Sequence, residues 1–99
     1  MIASRSMSDS QFKRLTQSVG VACFVKYYRD LADFSLLDAP LIQKMREAEG
    51  YTYGACQTRV LKAREIIRAG RSRDVLKLAA RSPRVSPAAA AAARRFLEG

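Results

Sequence analysis

The placement of proline and glycine constrains this chain more than any other feature. All three prolines stand where a helix can begin or break: Asp38-Ala39-Pro40, Ser82-Pro83 and Ser86-Pro87. Proline lacks the amide proton that a helix interior needs. The first turn has no use for that proton, so Asp or Ser shortly before Pro marks a start. Gly50 and Gly70 each follow a stretch of helical apolar spacing and predict left-handed helix ends. Between these marks apolar residues recur three and four positions apart, and no stretch alternates as a strand would. The expected fold is therefore all-α, a small bundle of five to six helices.

Ninety-nine residues, 48% of them hydrophobic, suffice for a single modest core. Residues 1–8 are small and polar and read as a flexible tail, with residues 9–99 forming one helical domain. Met7 offers an alternative start to Met1. Asp9 or Ser10 is expected to cap a first helix that carries Phe12, Leu15 and Val19. Gly20 interrupts or weakens it, and the pattern resumes through Val21, Phe24, Val25, Tyr28 and Leu31 to about Phe34, as one helix or two. Asp38 is expected to cap the next, with Leu41, Ile42, Met45 and Ala48 as its apolar stripe. Thr52 then caps a helix over about 53–69 whose inward positions are Cys56, Val60, Ala63 and Ile67. Helix, short glycine turn, helix makes a helix-turn-helix-like pair at about 39–69. A short helix over 73–80 buries Val75, Leu76 and Ala79. Ser86-Pro87 opens a last helix through the six alanines at 88–93, which are strong helix formers.

Charge is the most informative part of the composition. The chain carries 18 Lys+Arg against 9 Asp+Glu, a net of +9. Residues 1–56 hold seven cations and six anions; residues 57–99 hold eleven and three, so +8 of the excess lies in the second half. A one-sided positive field favours a polyanionic partner, and the preference for arginine suits phosphate and guanine edges.

The segment Gly50-Tyr51-Thr52-Tyr53-Gly54-Ala55-Cys56-Gln57-Thr58-Arg59-Val60-Leu61-Lys62-Ala63-Arg64 concentrates these features. With Cys56, Val60 and Ala63 inward, short polar groups come early on the helix and long cations follow. That order suits a recognition helix, whose first turns reach base edges while cations and amide groups hold phosphates. Gln57 can address adenine and Arg59 guanine. Thr52 and Tyr53 lie at the positive end of the helix dipole, where phosphate is favoured. The predicted duplex-contacting set is Gln57, Thr58, Arg59 and Lys62, with Thr52, Tyr53, Arg64, Arg68, Arg71 and Arg73 serving phosphates.

Residues 50–64 resemble the recognition helix in the fourth conserved region of bacterial sigma factors. There a glycine turn and a capping Ser or Thr precede a run of apolar, Lys, Ser, Arg, Leu, any, Arg, Ala, Arg. The resemblance implies that Gln57, Thr58, Arg59 and Lys62 face DNA while Cys56, Val60 and Ala63 pack inside. In the preceding helix the family carries a small residue where this chain has Arg46. The other sigma regions are absent, so the resemblance implies a DNA-binding module and not a sigma factor.

Catalysis is not expected. The chain has no histidine, two separated cysteines and no phosphate-binding glycine loop, which removes the usual triads, zinc sites and nucleotide folds; no cofactor or metal is expected. Cys23 and Cys56 read as core thiols of a reducing, cytoplasmic setting, and no apolar run is long enough for a membrane. The expected function is that of a small transcriptional or mobile-element regulator binding double-stranded DNA. Three alternatives stay open: an adaptor or inhibitor docking on an acidic protein surface; a homodimer with a seam of Phe12, Phe24, Val25 and Phe34; and RNA stacking on Lys26-Tyr27-Tyr28-Arg29.

Overall fold

A computed structural model describes residues 7–98; the expectations for residues 1–6 lie outside the described residues. Among the described residues seven helices follow in order: α1 (Asp9–Val19), α2 (Val21–Lys26), α3 (Tyr28–Ala32), α4 (Asp38–Glu49), α5 (Tyr53–Arg68), α6 (Ser72–Arg81) and α7 (Pro87–Glu98). No strand occurs among the described residues, and the fold is all-α as expected.

The number of helices exceeds the expected five or six because the apolar stretch before residue 34 is broken twice. Gly20 adopts φ 86°, which a side chain would resist, and separates α1 from α2. Tyr27, at φ −105° and ψ 12°, separates α2 from α3. The first cap also shifts. Ser8 accepts from the Gln11 amide at 3.1 Å, in place of Asp9 or Ser10, and Met7 packs half-buried against the core.

Leu37, not Asp38, occupies the cap position of α4, so Asp38 falls within the first turn and its carboxylate is available to another element. Gly50 ends α4 in the left-handed conformation (φ 75°), its amide bonded to the Arg46 carbonyl at 2.9 Å. Thr52 caps α5 as predicted, its hydroxyl accepting from the Ala55 amide at 3.2 Å. Ser86 does the same for the Ala89 amide at the start of α7.

Helix α5 is the organising element and packs against both α1 and α4. Cys56, Val60, Ala63 and Ile66 are fully buried along it, with Ile66 replacing the predicted Ile67, which stays half-buried. The side-chain bonds Arg59–Val19 and Gln11–Glu65 tie opposite ends of α1 and α5, so these helices run antiparallel. Helix α7 packs on α6 through Ala90 and Ala93, one turn apart, and α2 bridges to both. Phe12, Phe24 and Val25 lie inside this core. They are therefore not available for the dimer seam that their apolar character suggests; of the four only Phe34 is exposed.

Candidate nucleic-acid interface

The outward face of α5 follows from its inward one. With Cys56, Val60, Ala63 and Ile66 against the core, the exposed positions are Gly54, Gln57, Thr58, Leu61, Glu65 and Arg68, and Lys62 stands half-buried at the border. These fall within a single stripe at 3.6 residues per turn. Of the four residues predicted to reach the groove, Gln57 and Thr58 are thus fully presented and Lys62 partly. Thr52 and Tyr53 are exposed at the N-terminus, although the Thr52 hydroxyl is engaged in the cap.

Arg59 departs from expectation. It lies on the flank toward α1, where Nη1 donates to the Val19 carbonyl at 2.5 Å and the guanidinium sits 4.6 Å from the centre of the Tyr51 ring. Val19 closes α1, so its carbonyl belongs to the negative end of that helix dipole. Arg59 is accordingly a cap supplied to α1 by α5, not a side chain extended toward a base.

Arg64 departs further. It is 2% exposed. Nε donates to the Leu31 carbonyl at 3.1 Å, Nη2 to the carbonyls of Asp30 and Asp33 at 3.0 Å each, and Nη1 to Asp38 Oδ1 at 2.6 Å. Four acceptors at the end of α3 and the start of α4 take four of its five N–H groups, and its burial keeps a phosphate from reaching it. The expectation that Arg64 serves DNA is corrected: burial of its aliphatic stem and the planar fork make it an internal clamp.

Arg71 is likewise engaged. Its guanidinium donates to Asp74 at 2.8 Å and Asp9 at 3.1 Å and lies 4.1 Å from the Phe12 ring centre, fastening the start of α6 to the start of α1. The Asp74 bond pushes its already high pKa further up. Arg73 is exposed and donates to the Leu97 carbonyl in the last turn of α7 at 3.2 Å. Arg68 is exposed beside Phe34, 5.0 Å from its ring centre, and has no acceptor among the described residues.

These contacts disclose a role that charge counting misses. Arg59, Arg64, Arg73 and Arg94 each donate to a carbonyl at or near the C-terminal end of another helix: α1, α3, α7 and α6 respectively. Of the eleven cations in residues 57–99, these four and Arg71 bind the protein's own oxygens. Lys62, Arg68, Lys77, Arg81, Arg84 and Arg95 are left without an acceptor among the described residues. Nothing local in the sequence marks a capping arginine, since its acceptor lies far along the chain.

The aromatic–cation run in α2 and α3 is also internal. Tyr27 is 5% exposed and donates its hydroxyl to Glu49 Oε2 at 2.7 Å, which Lys26 also reaches at 2.6 Å. Tyr28 packs edge-on against Phe96. Tyr27 is buried and Tyr28, half-buried, is also packed at a tilt against Phe24, so both belong to the edge of the core, which counts against RNA stacking there. The two cysteines are free thiols, Cys56 buried and Cys23 half-buried, and burial pushes both thiol pKa values up. Among the described residues no helix is long and apolar enough to cross a membrane.

No protein-family model, curated protein or solved structure matches the chain.

Proposed function

We propose that this protein binds double-stranded DNA through the exposed N-terminal half of α5, as a small regulator of transcription or of a mobile element. The observation that carries the reading is the composition of that face. Gln57 and Thr58 stand exposed with Gly54 a turn before them, no acid lies in the first three turns, and open space surrounds the Gly54 α-carbon. Such a surface allows a backbone or a base edge to come close. Arg14 falls one turn from Gln11, on the edge of α1 from which Gln11 reaches Glu65, and flanks the same face. With Lys62 and Arg68 it supplies the phosphate contacts in place of Arg64 and Arg71. Arg59 holds α1 against α5 and acts by positioning.

Competition between labelled duplexes of different sequence tests this. Gln57→Ala should relax the preference among sequences, at a cost of about 1–3 kcal/mol on the preferred one. Lys62→Ala should weaken all duplexes alike. If neither variant changes binding, the α5 face is not the interface.

A second reading has one specific observation in its favour. Leu61 and Tyr53 are 43% and 45% exposed on or beside this face, and large apolar groups in the middle of a surface suit a protein partner. Under that reading Leu61→Ser abolishes capture of a partner and leaves DNA binding unaltered.

A further inference from the structure

A groove of about 650 Å³ lies between α2 and α3 on one side and α7 on the other, away from every residue of α5. Its floor is apolar, made by Ala22 and Val25 from α2 and by Ala89, Ala92 and Phe96 from α7. Its rim is cationic: Lys26, Arg29, Lys44 and Arg95, against one carboxylate, Asp30. Lys44 is held by Asp30 at 2.6 Å and Lys26 by Glu49 at 2.6 Å. Arg29 from α3, whose guanidinium lies over Phe96 of α7, and Arg95 from α7 are exposed, and neither has a carboxylate partner among the described residues. Arg29 rests 5.7 Å from the Phe96 ring centre and has no hydrogen-bond acceptor for its guanidinium among the described residues.

We infer that this groove receives an amphipathic helical segment of a partner protein, with apolar side chains laid on the alanine-rich floor and carboxylates paired to Arg29 and Arg95. Charge complementarity decides the occupant. Two guanidiniums without carboxylate partners at the rim call for anions on whatever lies against them. The floor decides its chemistry. Methyl groups and an aromatic edge offer a sugar–phosphate chain no hydrogen-bond partner, and the Tyr28 and Phe96 rings are packed on each other (4.9 Å between centres), not open to a base. A helix with a leucine strip and flanking glutamates satisfies floor and rim together. Alanine at 88, 89 and 92 lets that helix approach more closely than longer side chains would allow.

The full-length chain is titrated against a fluorescein-labelled synthetic helix carrying leucine on one face and glutamate on both flanks, followed by fluorescence anisotropy. Saturable binding is expected, and a twin with glutamine in place of glutamate should bind much more weakly. Arg29→Glu with Arg95→Glu should weaken binding by at least about tenfold. Ala88→Gln, which fills the groove mouth without changing charge, should weaken it too. Arg81→Glu with Arg84→Glu alters as many charges outside the groove and should leave it intact. The pair Arg29→Gln with Arg95→Gln repeats the test should circular dichroism show the reversed pair unfolded. Equal losses from the two charge-reversed pairs would overturn the proposal, since net charge alone would then explain binding. So would a glutamine twin that binds as tightly, or displacement of the peptide by a DNA duplex from the groove.

Discussion

Arg64 and Lys62 are two residues apart and meet opposite fates, because 200° of helix rotation separates them. One is driven into the seam between α3 and α4, the other stays at the border of the exposed face. Removing the Arg64 side chain leaves three backbone carbonyls and Asp38 without their donor. Arg64→Met should therefore lower the unfolding free energy by roughly 2–4 kcal/mol, read from urea denaturation, while the fraction that stays folded binds duplex normally. Arg64→Lys should rescue little, since an ammonium cannot span four acceptors set out for a planar fork. Glu49 gives a prediction in pH. The bond from Lys26, and then that from Tyr27, hold its carboxyl below the ordinary glutamate range. A carboxyl with a lowered folded-state pKa contributes stability in full above its unfolded value and loses it as pH falls through the folded one. Glu49→Gln should be less stable than the parent above about pH 5, with the gap closing on acidification below about pH 4. The outward placement of Lys62 was legible in the helical spacing; the fates of Arg64 and Glu49 were not. Arg59, Arg64 and Arg71 read as surface cations because their acceptors lie on other helices, and spacing carries no trace of contacts so distant in the chain.

At the scale of the helix, local chemistry was legible where a cap, a proline and a glycine act within four residues. Thr52, Ser86-Pro87 and Gly50 do what their side chains and backbones favour in isolation. Failures occur where tertiary contacts outrank propensity. Asp38 is a good capping residue, yet its carboxylate is taken by Arg64 and Leu37 occupies the cap. The apolar stretch before residue 34 reads as one or two helices but divides into three, since Val19, Phe24, Val25 and Leu31 must all reach one core from a chain that turns around it. Helix α5 itself is less than ideal at its start, where Gly54 stands in the first turn with nothing near it. Gly54→Ala should raise stability, by up to about 1 kcal/mol in thermal or urea unfolding. The added methyl stands on the proposed contact face, so the same variant should bind DNA more weakly. A gain in both properties would mean that no partner approaches that turn closely.

For the whole molecule, a charge of +9 has two separable origins. Part of it holds helices together through arginines that close carbonyl ends, and part remains exposed without an internal acceptor. The buried Arg64 is lost to a polyanion and the arginines with internal acceptors are partly so, which makes the footprint of the proposed duplex contact smaller than the count of cations implies. The direct measurement is anisotropy of a labelled random duplex titrated with the protein at low and near-physiological salt. With about three phosphates neutralised by Lys62, Arg68 and Arg14, log affinity should fall against log salt with a slope of about −2.7, and Lys62→Ala should reduce that slope by about 0.9. No binding at low salt, or a slope that Lys62→Ala leaves unchanged, would contradict DNA recognition by α5.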